Sequence, residues 1–200
     1  MSRLNVYHYV RRTSVLGPGQ RFGLWLQGCS RKCFACIAPD SHGDNGTNIS
    51  VAEMFAIIDS VKGIQGITIS GGEPLEQPDA LYELLSIVKM ETPLDVILFT
   101  GYAYSSILQS KNTKLLKKID LLIDEVYDET KNDNNYLRGS SNQNFIFLSE
   151  KFLPIKDELY TKHSREFEIF VQNENNIFIS GVPPKNYETQ YKFLMENLNA

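Results

Sequence analysis

Cysteine is scarce in this chain of 200 residues: there are three, all between positions 29 and 36. An odd, tightly spaced set is a poor disulfide framework. In a reducing compartment such spacing more often marks a metal site. No apolar run comes near the roughly 20 residues that would cross a bilayer, so no membrane segment is expected. The opening segment, MSRLNVYHYVRR, lacks the apolar stretch of a secretion signal, and a cytoplasmic protein is expected. An excess of positive charge is also missing. The formal net charge is −4, which argues against a general nucleic-acid backbone binder. There is no internal repeat, no low-complexity tract, no phosphate-binding loop and no Ser-His-Asp arrangement with supporting context. What is present is an ordinary globular composition, 42% hydrophobic and 22% charged. A chain this long can bury most of its apolar surface without covalent staples.

Along the chain, strand and helix patterns alternate. Arg21 to Gln27 has the pattern of a buried strand. Ser50 is placed to cap a helix, with Glu53 completing a capping box and Val51, Met54, Phe55, Ile58 and Val61 on one face. Gly66 to Ser70 is a β-branched strand that ends in Gly71-Gly72-Glu73-Pro74. A helix over about 78–91, a strand over 95–100, a helix over about 105–118 and strands at 121–123 and 144–148 follow. This alternation predicts an α/β fold with a parallel sheet and right-handed crossovers. Ligands then gather at the carboxyl ends of the strands. After residue 150 the pattern changes. Glu166 to Val171 and Asn176 to Ser180 suggest a hairpin, and Tyr187, Tyr191, Leu194 and Leu198 suggest one face of a terminal helix. The expected organisation is a core over 1–150 and a C-terminal extension over 151–200, packed on the core.

The cysteines stand as Cys29-x3-Cys33-x2-Cys36. Three thiolates from one short loop can hold three irons of a cubane cluster and leave the fourth iron open to an external ligand. Soft thiolates also suit zinc, and a structural zinc site with His42 as fourth ligand is the alternative. The spacing is unusual for a zinc finger, and no second Cys pair exists. Arg31 and Lys32 lie between two of the cysteines. They form either an exposed loop tip or a positive patch for an acidic electron donor of the flavodoxin type. In Gly71-Gly72-Glu73-Pro74, two glycines let a small ligand approach the backbone, Glu73 offers a carboxylate to an ammonium group, and Pro74 limits relaxation. A turn of this kind is common by itself. Together with an open iron one strand away, it forms a site for the amino acid end of S-adenosylmethionine.

Cys29-x3-Cys33-x2-Cys36 plus Gly71-Gly72-Glu73-Pro74 resembles the radical S-adenosylmethionine (radical SAM) superfamily. The resemblance implies a partial (β/α) barrel, a [4Fe-4S] cluster on the three cysteines, and a Gly-Gly-Glu-Pro turn that binds the methionine amino group. It also implies cleavage of the sulfonium to methionine and a 5′-deoxyadenosyl radical that abstracts hydrogen. Members commonly carry an aromatic residue just before the third cysteine. Here that residue is Ala35, with Phe34 one earlier.

A narrower resemblance is to the activating proteins of anaerobic ribonucleotide reductase, which deliver the radical to a glycine of a partner enzyme. It rests on Gly17-Pro18-Gly19, Gln27-Gly28-Cys29, Thr100-Gly101-Tyr102 and Arg138-Gly139-Ser140-Ser141-Asn142-Gln143. It covers roughly residues 5–148. Thr100, Asp124 and Arg138 join the candidate cofactor contacts on this basis. Arg138 would grip a carboxylate, or its block is a turn with side chains bonded to backbone. Related activators have Asp-x-Lys where this chain has Asp124-Glu125-Val126, so the lysine is missing. Two alternatives stand beside activation of a glycyl radical enzyme. One is a radical enzyme that modifies a ribosomal peptide or small molecule, since the extension could dock a peptide. The other is a zinc-stabilised interaction module without catalysis.

Overall fold

The computed structural model describes residues 2–173, 176–184 and 187. The strands are β1 (Arg3–Thr13), β2 (Arg21–Leu26), β3 (Thr47–Ser50), β4 (Gly66–Gly71), β5 (Asp95–Phe99), β6 (Leu121–Ile123) and β7 (Phe145–Phe147). They form one sheet in the order β3-β1-β2-β4-β5-β6-β7. The helices are α1 (Val51–Asp59), α2 (Pro78–Glu91), α3 (Tyr104–Leu108), α4 (Thr113–Leu116) and α5 (Lys156–Thr161). A separate hairpin follows, β8 (Phe167–Asn173) with β9 (Asn176–Gly181).

The four central strands β2, β4, β5 and β6 are parallel neighbours, as the alternation requires. The flanks correct the expectation of a wholly parallel sheet. β1 is antiparallel to both β2 and β3, and β7 is antiparallel to β6. A parallel neighbour needs a crossover, usually a helix. The link from β6 to β7 holds only a short 3₁₀ turn, Glu129–Lys131, so the chain turns back beside β6. Neither β1 nor β3 was expected from the sequence. β1 carries only a short period-2 signal, with Leu4 and Val6 buried in the main core and Arg3 exposed; a register shift between Val6 and His8 then puts Val10 in a cluster on the other face.

Ser50 caps α1 as expected, its side chain accepting from the Glu53 N–H at 3.2 Å. Val51, Met54 and Ile58 are buried against the sheet. The helix expected over 105–118 is broken into α3 and α4. Thr113 Oγ1 donates to the carbonyls of Ile107, Leu108 or Ser110, within 2.8–3.1 Å, and ends the first helix. The apolar face of β2, β4 and β5 (Phe22, Leu24, Ile67, Ile69, Val96, Leu98) packs under α1 and α2 in the main core. The opposite face carries two smaller clusters. One gathers Ile97, Leu121, Ile123, Phe145, Phe152 and Leu159; the other gathers Val10, Leu16, Trp25 and Phe178. The second cluster joins the hairpin to the sheet, helped by hydrogen bonds of Thr13 to Ser180 and of Ser14 to Glu168. The expected terminal helix lies outside the described residues, except for Tyr187. Among the described residues no helix is long and apolar enough to cross a membrane.

Candidate functional site

The parallel strands deliver the sequence-predicted motifs to one end of the sheet. Cys29 follows β2, Gly72-Glu73 follows β4, Thr100-Gly101 follows β5, and Asp124-Glu125-Val126 follows β6. The cysteine loop is closed at its base by backbone hydrogen bonds from Gly28 N–H to Ser41 (2.8 Å) and from Cys29 N–H to His42 (3.2 Å). The Gln27 side chain donates to the carbonyls of Asp40 and Gly43 and braces the loop from below. At the tip, Lys32 (φ 47°) and Ala35 (φ 59°) adopt left-handed backbone. That costs L residues about 1–2 kcal/mol each. The backbone N–H groups of Lys32 and Arg31 point at the Cys29 sulfur, and that of Ala38 at the Cys36 sulfur. Burial pushes both thiols up against that pull.

The glycine–carboxylate turn is laced to this loop. Gly72 N–H donates to the Leu26 carbonyl and Glu73 N–H to that of Gly28, each at 2.7 Å. A Cβ on Gly71 would strike the Leu26 backbone, and one on Gly72 would strike Gly28. Gly71 also has φ 104°. The two glycines are therefore required by the neighbouring chain as much as by a ligand. Glu76 reinforces the joint by accepting from the Ser30 N–H and hydroxyl at 2.9 and 2.6 Å.

Glu73 is 1% exposed. Its carboxylate accepts from the Leu75 N–H (3.0 Å), the Thr100 hydroxyl (2.7 Å) and the Gly101 N–H (2.7 Å). A carboxylate has about four acceptor positions, so one remains. Burial pushes the carboxyl above its ordinary range, against the pull of these three donors. Among the described residues no ion pair reaches it.

A cavity of about 650 Å³ opens at this end of the strands. Cys29, Cys33, Cys36, Gly71, Gly72, Glu73 and Thr100 all line it. So do His42, Trp25 and Arg31, whose guanidinium stacks 3.8 Å over the Tyr102 ring. Arg31 and Lys32 are both exposed, as the loop-tip reading expects, and Arg31 also borders the cavity. The zinc alternative needs three cysteines and His42 converging on one ion. Among the described residues no group of three His, Cys, Asp or Glu side chains is gathered on one metal ion, the three cysteines included, so this observation does not separate the two readings.

Two candidates stand apart from the cavity wall. Asp124 accepts from Tyr104 N–H (2.8 Å) and from the backbone and side chain of Asn144 (3.2 and 2.9 Å), so it fastens α3 and the start of β7 to β6. Arg138 donates to Asp133 (2.6 Å) and to the Gln143 carbonyl (3.2 Å). It does grip a carboxylate, but one of its own chain. The rest of its block behaves as the turn reading describes: Gln143 accepts from Gly139 and Ser140 N–H and donates to the Glu125 carbonyl. Gly139 and Gln143 reach the cavity. Sequence reasoning missed Glu125, Glu129 and Asn132 from the loop after β6, and Gly181, Val182, Pro183 and Pro184 from the end of the hairpin. Only the hairpin's return brings the latter within reach, and no local pattern announces it.

The 4Fe-4S single cluster domain family matches residues 15–146. An anaerobic ribonucleoside-triphosphate reductase-activating protein of phage T4 is 35% identical, over 64% of this chain and 85% of that protein. Its counterpart from Vibrio cholerae is 31% identical, over 70% of this chain and 96% of that protein. A pyruvate formate-lyase-activating enzyme from Streptococcus mutans is 29% identical over 75% of this chain, which spans 60% of that enzyme. The family match covers well over half the chain and takes in every sequence-predicted site residue. The chain belongs to the 4Fe-4S single cluster domain family and, within it, to the radical SAM activating enzymes.

Proposed function

We propose that the chain reductively cleaves S-adenosylmethionine at a [4Fe-4S] cluster held by Cys29, Cys33 and Cys36, and installs a glycyl radical on a protein partner. Anaerobic ribonucleotide reductase is the partner of first choice, because the reductase activators are covered nearly end to end. The observation that carries the reading is the shared cavity: three thiols on one wall and a buried carboxylate with one unused acceptor position beside them. The donor set fits both groups. Soft thiolates suit iron–sulfur, and Glu73 suits an ammonium group. When bound, the cluster supplies the electron that splits the sulfonium into methionine and a 5′-deoxyadenosyl radical.

The chain's own residues hold and orient. Amides of Arg31, Lys32 and Ala38 aimed at sulfur bias the cluster's potential. Thr100 and Gly101 fix the Glu73 carboxylate so that it meets the ligand's ammonium without reorganising. Gly71 and Gly72 hold that turn against the cysteine loop. Pro74 stiffens it. Asp124 and Arg138 act as scaffold beneath this wall. The open curved sheet is best described as the partial (β/α) barrel of radical SAM enzymes, with a core to about residue 150 and an extension beyond it. A flavodoxin-like donor would approach over the exposed Lys32 side of the loop, in the cytoplasm, where cysteines are kept reduced.

The test is anaerobic reconstitution with iron and sulfide. 5′-Deoxyadenosine should then form with a strong reductant, and an organic radical should appear by electron paramagnetic resonance on the reductase of the same organism. A colourless, zinc-loaded protein would overturn the reading.

A further inference from the structure

Arg165 lies beyond the residues that the family matches. It precedes β8, and all five of its N–H donors are used. Nε donates to the Asn135 carbonyl (2.8 Å). One terminal nitrogen donates to the Asn132 side chain (2.8 Å) and the Pro183 carbonyl (3.3 Å). The other donates to the carbonyls of Arg138 (2.8 Å) and Gly139 (2.9 Å). A guanidinium has five such donors in a fixed planar fork, so this one is saturated by two separate stretches of chain. Three of its contacts, Asn132, Gly139 and Pro183, belong to residues that line the cavity. From the other direction the hairpin is anchored by Phe178, packed edge-on at 4.7 Å against Trp25, which also lines the cavity.

We propose that Arg165 is a positioning residue: it joins the 132–143 loop to the returning hairpin, so that Gly181, Val182 and Pro183 become a fixed wall that governs which protein segment reaches the cavity. This rests on the activation reading above. Through Arg165 the wall adjoins the loop after β6, and Glu125 and Glu129 also line the cavity. A loosened wall leaves the cysteine loop and the Glu73 turn in place, because their hydrogen bonds run to Leu26, Gly28, Ser41, His42, Thr100 and Gly101 rather than to the hairpin. Loss of the latch should therefore separate cofactor cleavage from productive transfer.

The experiment compares the full-length reconstituted chain with Arg165→Ala and Arg165→Lys. The first readout needs no activity: acrylamide quenching of the single tryptophan, Trp25, 5% exposed beneath the hairpin. Both variants should quench more readily, because the hairpin opens more often. The second readout is 5′-deoxyadenosine formed per glycyl radical on the reductase, which should rise at least about threefold while cleavage without the partner persists. Lysine should not rescue, since one ammonium cannot span five acceptors. Unchanged quenching and an unchanged ratio would overturn the proposal. So would a parallel fall of cleavage and transfer, or full rescue by lysine. In case the Arg165 variants fold poorly, Val182→Trp adds bulk to the wall with the latch intact and should lower radical yield alone; unchanged yield also counts against the wall. A wild-type chain that makes deoxyadenosine but no radical on the reductase refutes the partner assignment, and the quenching comparison then decides the latch.

Discussion

At the N-terminal ends of the parallel strands, buried charge is met by charge. Arg21 is fully buried and pairs with Asp95, and Lys89 pairs with Asp120. Arg21 also donates to Thr68 (2.7 Å) and to the Ile67 carbonyl (2.9 Å). Although burial opposes it, Lys89, Ser149 and the Val96 N–H hold the Asp120 carboxyl below the usual carboxylate range. At the C-terminal ends, Glu73 and Asp124 are buried to a similar degree, yet their partners are hydroxyl, amide and backbone N–H groups. A buried ion pair has spent its charge internally, and removing one partner is expensive. Of these two carboxylates only Glu73 lines the cavity, where its charge is open to something that arrives later. The lesson is that neither burial nor a missing counter-charge marks a site by itself, since Asp124 has both: the carboxylate must also border a cavity, as Glu73 does.

The comparison predicts separable damage at the two ends. The largest effect is expected from Cys29→Ala, Cys33→Ala or Cys36→Ala, each of which should abolish 5′-deoxyadenosine formation and lower bound iron. Retained turnover in any of them would undo the ligand assignment. Next comes Asp95→Ala at the opposite end, which leaves Arg21 buried and unpaired. It should cost about 3–5 kcal/mol, seen as a melting temperature lower by roughly 6–20 °C for a chain of this size. If cofactor affinity at low temperature fell along with it, the two ends would not be independent.

Glu73→Gln should have a smaller, local effect. An amide places a donor against one of the N–H groups that the carboxylate now accepts. The lost charge-assisted contact is worth about 1.5–3 kcal/mol, or roughly a ten- to hundredfold weaker S-adenosylmethionine Kd by equilibrium binding. The pH dependence sharpens this. Burial raises the Glu73 carboxyl, and the ligand's ammonium needs its ionised form. Affinity should therefore rise with pH through that raised value and then level off, and Glu73→Gln should flatten the acid limb. An equally steep limb in the variant would assign the titration to another group. The smallest effect is expected from Arg138→Gln, which loses a partly buried pair with Asp133. A loss of about 1 kcal/mol of stability with cofactor affinity changed less than about twofold is the outcome consistent with scaffolding. A large affinity loss would return Arg138 to the site.

Much of the central fold was legible because its causes are local. β2, β4, β5 and α1 were each visible in β-branched runs, in the Ser50 cap and in apolar spacing. The antiparallel flanks were not, because strand direction depends on which end of the sheet a connection returns to, and the 124–144 link carries no helix to announce it. Gly71 and Gly72 were singled out for a ligand's approach, but the constraint the structure shows, the close approach of Leu26 to Gly71 and of Gly28 to Gly72, comes from 45 and 44 residues away in sequence.

The sequence by itself determined the pattern on which the proposed chemistry rests: cysteines at 29, 33 and 36, and a carboxylate turn one strand away. These depend on residue type and short-range spacing, which folding does not alter. Tertiary structure alone decided which polar groups remained available. It tied Arg138 and Asp124 to neighbours away from the cavity, and set Glu73 on the cavity wall. It also made the hairpin a wall of the cavity. Availability depends on which groups satisfy one another in the interior, and that is settled only when distant segments are packed together.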